Sequence, residues 1–287
     1  MRTRFLDQLP AARARAAVAA IEALGYGAIW IPEGAAREAF TNASLLLAGG
    51  DRIVIATGIA NLWGRDALTM AAAQKTLTEA YPDRFLLGIG VSHRPMVEEV
   101  RGHRYARPLE TMRAYLDAMD AAPYRAVPPP VPPRRVLAAL GPKMLALAAA
   151  RAAGAHPYFV PVEHTALARA ALGAGPLLAP EQAVVLDTNP TTARATARAH
   201  MATYLRLPNY TNNLRRLGLG DADLADGGSD RLVDAIVAWG DVAAVAARVR
   251  AHLDAGADHV CVQALGVEPG DLPMARWTAL APALLAL

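Results

Sequence analysis

With 287 residues the chain is long enough for one large α/β domain or two small ones, and 54% apolar against 19% charged residues excludes global disorder. The net charge of +3 comes almost wholly from arginine, since Lys75 and Lys143 are the only lysines. The basic residues are scattered, so nucleic acid is excluded as a partner class. Cys261 is the single cysteine, which excludes an internal disulfide framework. No apolar run reaches the roughly 18 residues of a membrane span, and MRTRFLDQLP lacks a signal-peptide core; a cytoplasmic protein without membrane partners is expected.

Met1 to Leu9 precedes the first helix, and within it Thr3 to Leu6 supplies at most a stub of strand. Ala11 to Leu24 reads as a helix, with Ala14, Val18, Ile21 and Leu24 on one face and Gly25 as its stop. A strand over Ala28–Pro32 and a helix over Glu38–Ala48 follow. Ile53 to Ile59 is β-branched and continuous, as in a strand buried on both faces. Asp66 can cap a helix running to Tyr81. Then DRFLLGIGVSH, Asp83 to His93, reads as a turn, a short apolar strand over Phe85–Ile89, and a Gly-x-Gly exit toward Ser92 and His93. Gly88 and Gly90 remove two side chains where a flat ligand could approach the backbone.

Beyond a helix over Leu109–Ala121, the proline-rich Pro123–Pro133 reads as a stiff connection. Val136–Leu140 is expected as a strand, with Gly141-Pro142 opening a helix that Gly154 ends. Tyr158–Val160 is the next expected strand and His164–Leu172 its helix. Ala183–Leu186 is another strand, and Thr188 or Asn189 caps the helix begun by Pro190. Arg206–Gly228 is irregular, with a short helix around Asn212–Leu217. Helices over Asp230–Ala238 and Asp241–Ala255, a last strand over His259–Ala264 and a last helix over Pro273–Leu287 complete the chain.

Strict alternation of apolar strands with helices means a parallel sheet covered by helices. Seven clear units and one stub predict a single (β/α)8 TIM barrel over 1–287, with a shortened or missing first strand and an insertion before the last. Barrel chemistry sits at the strands' carboxyl ends, which points to Glu33, Gly58–Asn61, Gly90–His93, Leu140–Lys143, Val160-Pro161 and Ala264–Gly266. Gly88-x-Gly90 is not a dinucleotide fingerprint, because His93 stands where the third glycine belongs. No Walker loop, nucleophile elbow or metal-ligand spacing occurs, and His156, His200, His252 and His259 are expected at the surface or at helix ends.

ALGYGAIWIPE, IVIATGIANLWGRDALTMAAAQKTL, PDRFLLGIGVSH and LAALGPKML, taken in this order from Leu24 onward, resemble the luciferase-like monooxygenase superfamily, and more closely its branch that uses the deazaflavin coenzyme F420. The resemblance implies a (deaza)flavin ring over the barrel mouth, with FMN as the alternative cofactor. It implies a cis peptide at Gly58-Ile59 and a ring face supported by the backbone around Ile59, Ala60 and Asn61, with Gly90 making room for the ring and Val91 and Ser92 in the same cofactor site. It places the cofactor phosphate at Gly141, Pro142, Lys143 and Met144, with Arg107 as a second candidate and Val160-Pro161 on the rim. His93 stands where some deazaflavin dehydrogenases carry a catalytic glutamate, and an imidazole there suits proton transfer. Glu33 is placed as a proton carrier or as a helix-capping acid. Gly34, where sugar-phosphate dehydrogenases of the family have histidine, argues against that substrate class. The implied activity is hydride transfer between F420 and a small organic substrate; an FMN monooxygenase and a catalytically silent flavin barrel are the alternatives. A homodimer through the apolar Leu68–Leu77 helix is expected from the same resemblance.

Overall fold

The computed structural model describes residues 1–3, 5–267 and 271–287. Its elements alternate as expected: α1 (Ala11–Ala23), β1 (Ala28–Ile31), α2 (Ala39–Leu47), β2 (Val54–Thr57), a two-residue β3 (Ala60–Asn61), α3 (Ala67–Ala80), β4 (Phe85–Gly90), α4 (Pro108–Asp120), β5 (Arg135–Leu137), α5 (Pro142–Arg151), β6 (Gly154–Ala155) and α6 (Val162–Leu172). The second half adds β7 (Leu177–Leu178), β8 (Glu181–Leu186), α7 (Pro190–Tyr204), α8 (Pro208–Arg216), α9 (Asp221–Leu224), α10 (Asp230–Ile236), β9 (Val237–Gly240), α11 (Val242–Asp254), β10 (Cys261–Ala264) and α12 (Met274–Leu285). Helix starts carry their own signals. Asp66 Oδ1 accepts the Thr69 N–H at 2.8 Å, Asn189 accepts from Thr191 at 2.9 Å, and Asp241 accepts from Ala244 at 2.8 Å.

All strand pairs are parallel. β1, β2, β4, β5, β6 and β7 lie side by side, and β8 pairs with β10 on one edge and β9 on the other. β7 runs through Ala179-Pro180 into β8, and the Cys261 N–H donates to the Pro180 carbonyl at 2.8 Å. The last seam is closed by the N-terminal stub. The Arg2 N–H donates to Val262 O at 2.9 Å, the Thr3 N–H to Trp30 O at 3.1 Å, and the Trp30 N–H to Met1 O at 2.7 Å. The shortened first strand is therefore real: Arg2 makes one isolated parallel bridge to Trp30, yet it suffices to complete the hydrogen-bonded circuit. The barrel interior holds Trp30, Ala56, Val136, Ala179 and Cys261, all buried. A larger apolar layer, including Leu46, Leu47, Met70, Leu116 and Trp277, lies between staves and helices.

Three expected elements differ. The strand expected at Tyr158–Val160 is instead Gly154–Ala155. Gly154 approaches its neighbour so closely that a Cβ would lie 1.9 Å from the Leu177 carbonyl oxygen, so the ladder forms where glycine permits it. Pro157 and Pro161 lack N–H donors, and the segment between them leaves the sheet. Helix α10 stops at Ile236, because Val237-Ala-Trp-Gly pairs with β8 as β9. The helix of the insertion begins earlier than expected, at Pro208 rather than Asn212. Among the described residues no helix is long and apolar enough to cross a membrane.

Candidate active site

A cavity of about 660 Å³ opens at the carboxyl ends of the strands. Of the residues expected there, Glu33, Gly58, Ile59, Gly90, Val91, Ser92, His93, Gly141, Pro142, Lys143 and Met144 line it. The Gly58-Ile59 peptide is cis. Gly58 N–H donates to Ile31 O at 2.7 Å and Glu33 N–H to Ile59 O at 3.2 Å, which fixes this corner against β1. A Cβ on Gly90 would lie 2.5 Å from Ile59 Cδ1, so the missing side chain of Gly90 is what lets Ile59 sit flat at the mouth.

Glu33 is an anchor. Its Oε2 accepts the Asn61 N–H at 2.6 Å and the Arg65 Nη1 at 3.1 Å, while Oε1 accepts the Ala39 N–H of α2 at 3.3 Å and pairs with Arg65 Nη2. Only 3% of its side chain is exposed. Both oxygens are engaged, so Glu33 braces the Asn61 corner and the first N–H of α2, whose N-cap is Glu38. Ala60 and Asn61, expected to support a ring face, are buried and do not line the cavity, which Gly58 and Ile59 reach instead.

Other expectations shift outward. Arg107 is exposed and pairs with Glu110 at 3.1 Å. It sits in the left-handed region, φ 43°, where the turn into α4 presents Tyr105, Pro108 and Leu109 to the cavity instead. Val160 is buried and Pro161 is the N-cap of α6, so both lie off the cavity wall.

His93 Nδ1 lies 3.2 Å from Asn209 Oδ1, and its ring packs on Tyr210 at 5.4 Å between centroids. With Asn209 as acceptor, Nδ1 carries the proton and Nε2 is the basic nitrogen. Burial pulls the His93 pKa below its ordinary 6.5, and the Asn209 hydrogen bond opposes that shift. The ring is therefore neutral at pH 7.

The start of α5 carries no side-chain cap, and Lys143 and Arg216 line the same end of the cavity. A Cβ on Gly141 would lie at an ordinary contact distance, 3.4 Å, from Arg216 Nη2, which places the guanidinium beside the helix start. Such an arrangement favours an anion.

Sequence reasoning missed the inner wall. His156, expected at the surface, is 2% exposed; its ring stacks on Trp30 at 4.3 Å between centroids. Burial drives its pKa down to about 3. Arg2 lies over the Tyr158 ring at 4.1 Å and donates from Nη1 to Gln263 at 2.6 Å. Tyr158 donates to Tyr204 at 2.8 Å. Behind them Glu181 is buried, and burial raises its pKa to about 7 against the pull of Arg2. Had the strand been placed at Gly154–Ala155, the carboxyl-end rule would have pointed to His156 and Tyr158. Arg216, Asn209 and Tyr210 come from the insertion, where no periodic pattern marks an inward face. His252 lies at a helix end as expected, in the last turn of α11, but it is fully buried, held between Thr165 at 2.8 Å and Gln182 at 2.9 Å.

Three comparisons bear on this barrel and its mouth. The F420-dependent secondary alcohol dehydrogenase solved with an F420–acetone adduct superposes with a TM-score of 0.76 at 13% identity, covering 97% of this chain and 96% of that one. The coenzyme F420-dependent tetrahydromethanopterin reductase of Methanopyrus kandleri gives 0.73 at 15%, covering 98% and 96%. The oxygenating constituent of the 3,6-diketocamphane monooxygenase of Pseudomonas putida, solved with FMN, gives 0.64 at 16%, covering 94% and 90%. These likenesses show the fold. In sequence, a provisionally named coenzyme F420-dependent oxidoreductase of Mycobacterium tuberculosis is 31% identical over 100 residues, which span 35% of this chain and only 29% of that protein. The model of the luciferase-like monooxygenase family matches residues 4–259, from the stub that closes the barrel to the threshold of its last strand, and the chain belongs to that family.

Proposed function

We propose that the protein is an oxidoreductase that moves a hydride between coenzyme F420 and a small organic substrate. One observation carries the reading: a single cavity joins the flat pad at Ile59 and Gly90 to the uncapped α5 start with Lys143 and Arg216. A ring cofactor with a phosphate-bearing side chain matches both ends. The name of the Mycobacterium tuberculosis relative supports the deazaflavin, and the FMN-bound structural neighbour keeps a flavin-dependent monooxygenase as the second reading.

Once bound, the deazaflavin supplies the hydride chemistry. The protein's part is binding, orientation and proton handling. Ile59 supports one ring face, and the α5 N–H groups with Lys143 and Arg216 hold the phosphate. Asn209 keeps the His93 proton on Nδ1, leaving Nε2 to take a proton from a substrate hydroxyl and return it in the reverse direction. Tyr105, Leu109 and Met96 add largely apolar surface to the cavity wall.

Titrating the purified protein with F420 and with FMN tests the proposal. F420 binding without FMN binding supports it. Preference for FMN replaces it with the monooxygenase, and binding of neither replaces it with a silent barrel. Two further outcomes are expected. Arg216→Ala weakens F420 about tenfold at low salt and much less at 1 M salt, while the dephosphorylated deazaflavin nucleoside is unaffected; equal losses for both ligands would remove Arg216 from the phosphate site. The acid limb of kcat/KM lies below pH 6.5, because the neutral His93 is the active form and its folded pKa is lowered. Asn209→Ala removes the contact that raises that pKa, so the limb moves to still lower pH; a shift upward would contradict the assignment.

A further inference from the structure

A second cavity, of about 610 Å³, lies at the other end of the barrel. Ala28 and Val54 open β1 and β2 and Leu177 opens β7, so the amino ends of the staves form its wall, away from the catalytic mouth. The space follows from the sequence: Gly27, Ala28 and Ala56 put little or no side chain where barrel staves commonly carry branched ones. Leu86, Leu253, Val262 and Leu284 add apolar surface. Polar groups are few. Among the described residues Asp258 is the one charged side chain of the lining, and it is held by Arg169 Nη2 at 2.5 Å and the Leu178 N–H at 2.7 Å. Tyr26 donates its hydroxyl to the Trp277 carbonyl at 2.7 Å. His259 differs. Its Nε2 takes the Trp30 Nε1–H at 3.2 Å, and an indole nitrogen can only donate, so the His259 proton sits on Nδ1. Burial lowers the His259 pKa to about 4, which keeps the ring neutral at pH 7. Nδ1 has no hydrogen-bond partner among the described residues, yet it is not one of the unpaired atoms sealed from solvent. His259 lines the cavity, so its Nδ1–H is a donor open to whatever enters.

We propose that this cavity is a second binding site, for a neutral, largely apolar molecule carrying one carbonyl acceptor: a ketone, aldehyde or ester. The apolar lining takes the body of the ligand, and the His259 Nδ1–H meets its oxygen. One placed donor in an otherwise apolar cavity of this size is the pattern of small-molecule sites. A carboxylate is disfavoured. The imidazole is neutral, and the Met1 amine, given to the Ala28 carbonyl at 2.7 Å, is lowered by burial to about 6 and mostly uncharged at pH 7. Trp30 stands between the two cavities: its ring face stacks on His156, which lines the catalytic one, and its N–H holds His259. The site is therefore distinct from the cofactor cavity and does not rest on the function proposed above.

The test is equilibrium dialysis of the whole chain against three naphthalene probes: the methyl ketone acetonaphthone, ethylnaphthalene, in which a methylene replaces the carbonyl, and naphthoate. The ketone is expected to bind roughly three- to tenfold more tightly than ethylnaphthalene, and naphthoate at least about tenfold more weakly than the ketone. Val54→Phe and Leu284→Trp fill the cavity from a stave and from α12. Each should abolish ketone binding and leave titrations with F420 and FMN as in the wild type. His259→Phe keeps a ring but removes the donor, so it should bind ketone and ethylnaphthalene equally. Ketone binding that survives both filling variants places the probe elsewhere and overturns the inference. So does a wild type that binds ketone and hydrocarbon alike, prefers naphthoate or binds no probe, and so does an undiminished ketone preference in His259→Phe. None of these results touches the proposed function, which the cofactor titrations read separately. Should His259→Phe not fold, the wild type and the filling variants decide.

Discussion

Arg65→Ala is expected to lower the unfolding free energy by about 3–5 kcal/mol, the cost of removing one partner from a buried ion pair. The Arg65 and Glu33 side chains are 7% and 3% exposed. Removing the guanidinium leaves a carboxylate in the wall of the barrel with only the Asn61 and Ala39 N–H groups as partners. It also frees the Asn61 carbonyl, which Arg65 Nη1 holds at 3.3 Å, and Glu38, which Nη2 holds at 2.7 Å. Because Asn61 closes the corner that begins at Gly58, ring binding should weaken along with stability. Urea unfolding and cofactor titration read the two effects. The double variant Glu33→Gln/Arg65→Met should recover most of the stability, since it removes the stranded charge. A loss below about 1 kcal/mol in Arg65→Ala would show the pair to be solvated like a surface bridge.

The same ion pair shows how far the sequence could be read. Glu33 was placed at the cavity by the strand-end rule, and it is there. Its role depended on Arg65, 32 positions away in the chain, and on the Asn61 N–H, neither of which periodicity can bring together. Local signals were legible wherever the cause was local. Asp66 and Asn189 cap as their side chains allow, Pro142 takes the first turn of α5, and the apolar runs at Ile53 and Phe85 became staves. β6 failed as an expectation because its two residues have no strand-forming side chains; only the 1.9 Å clearance at Gly154 explains its place. Arg2 was unreadable for a further reason. It lies on a stub too short to carry a pattern, and its partners, Gln263 and Tyr158, come from the far half of the chain.

That long-range convergence has a functional logic. The outer end of the cavity is built from residues near helix starts, where backbone N–H groups are available and sequence signals are strong. The inner end is built from side chains of separate segments, Arg2, His156 and Tyr158, meeting inside the barrel. An anion site can be read from a single segment such as Gly141-Pro142-Lys143. A wall assembled from several staves at once becomes visible only when the circuit closes.

The two glycines of the Asp83–His93 stretch should separate stability from binding. On sequence grounds both clear space for a ligand, but their neighbours differ. A Cβ on Gly88 would lie 2.0 Å from the Thr57 carbonyl oxygen, which is backbone. Thr57 Oγ1 also accepts from the Gly88 N–H and donates to the Gly88 carbonyl, both at 2.8 Å. Gly88→Ala must therefore push β4 away from β2 and break that clasp, and a loss of about 3 kcal/mol or more is expected. Gly90→Ala meets the Ile59 side chain instead, at 2.5 Å, and a side chain at the cavity mouth can turn aside. Its stability cost should be smaller, about 1–2 kcal/mol. The displaced Ile59 then occupies the ring pad, so cofactor affinity should fall more than tenfold. Unfolding and titration of the two variants side by side provide the check. If Gly90→Ala binds the cofactor as the wild type does, the ring does not lie on Ile59, and the pad has to be sought elsewhere in the cavity.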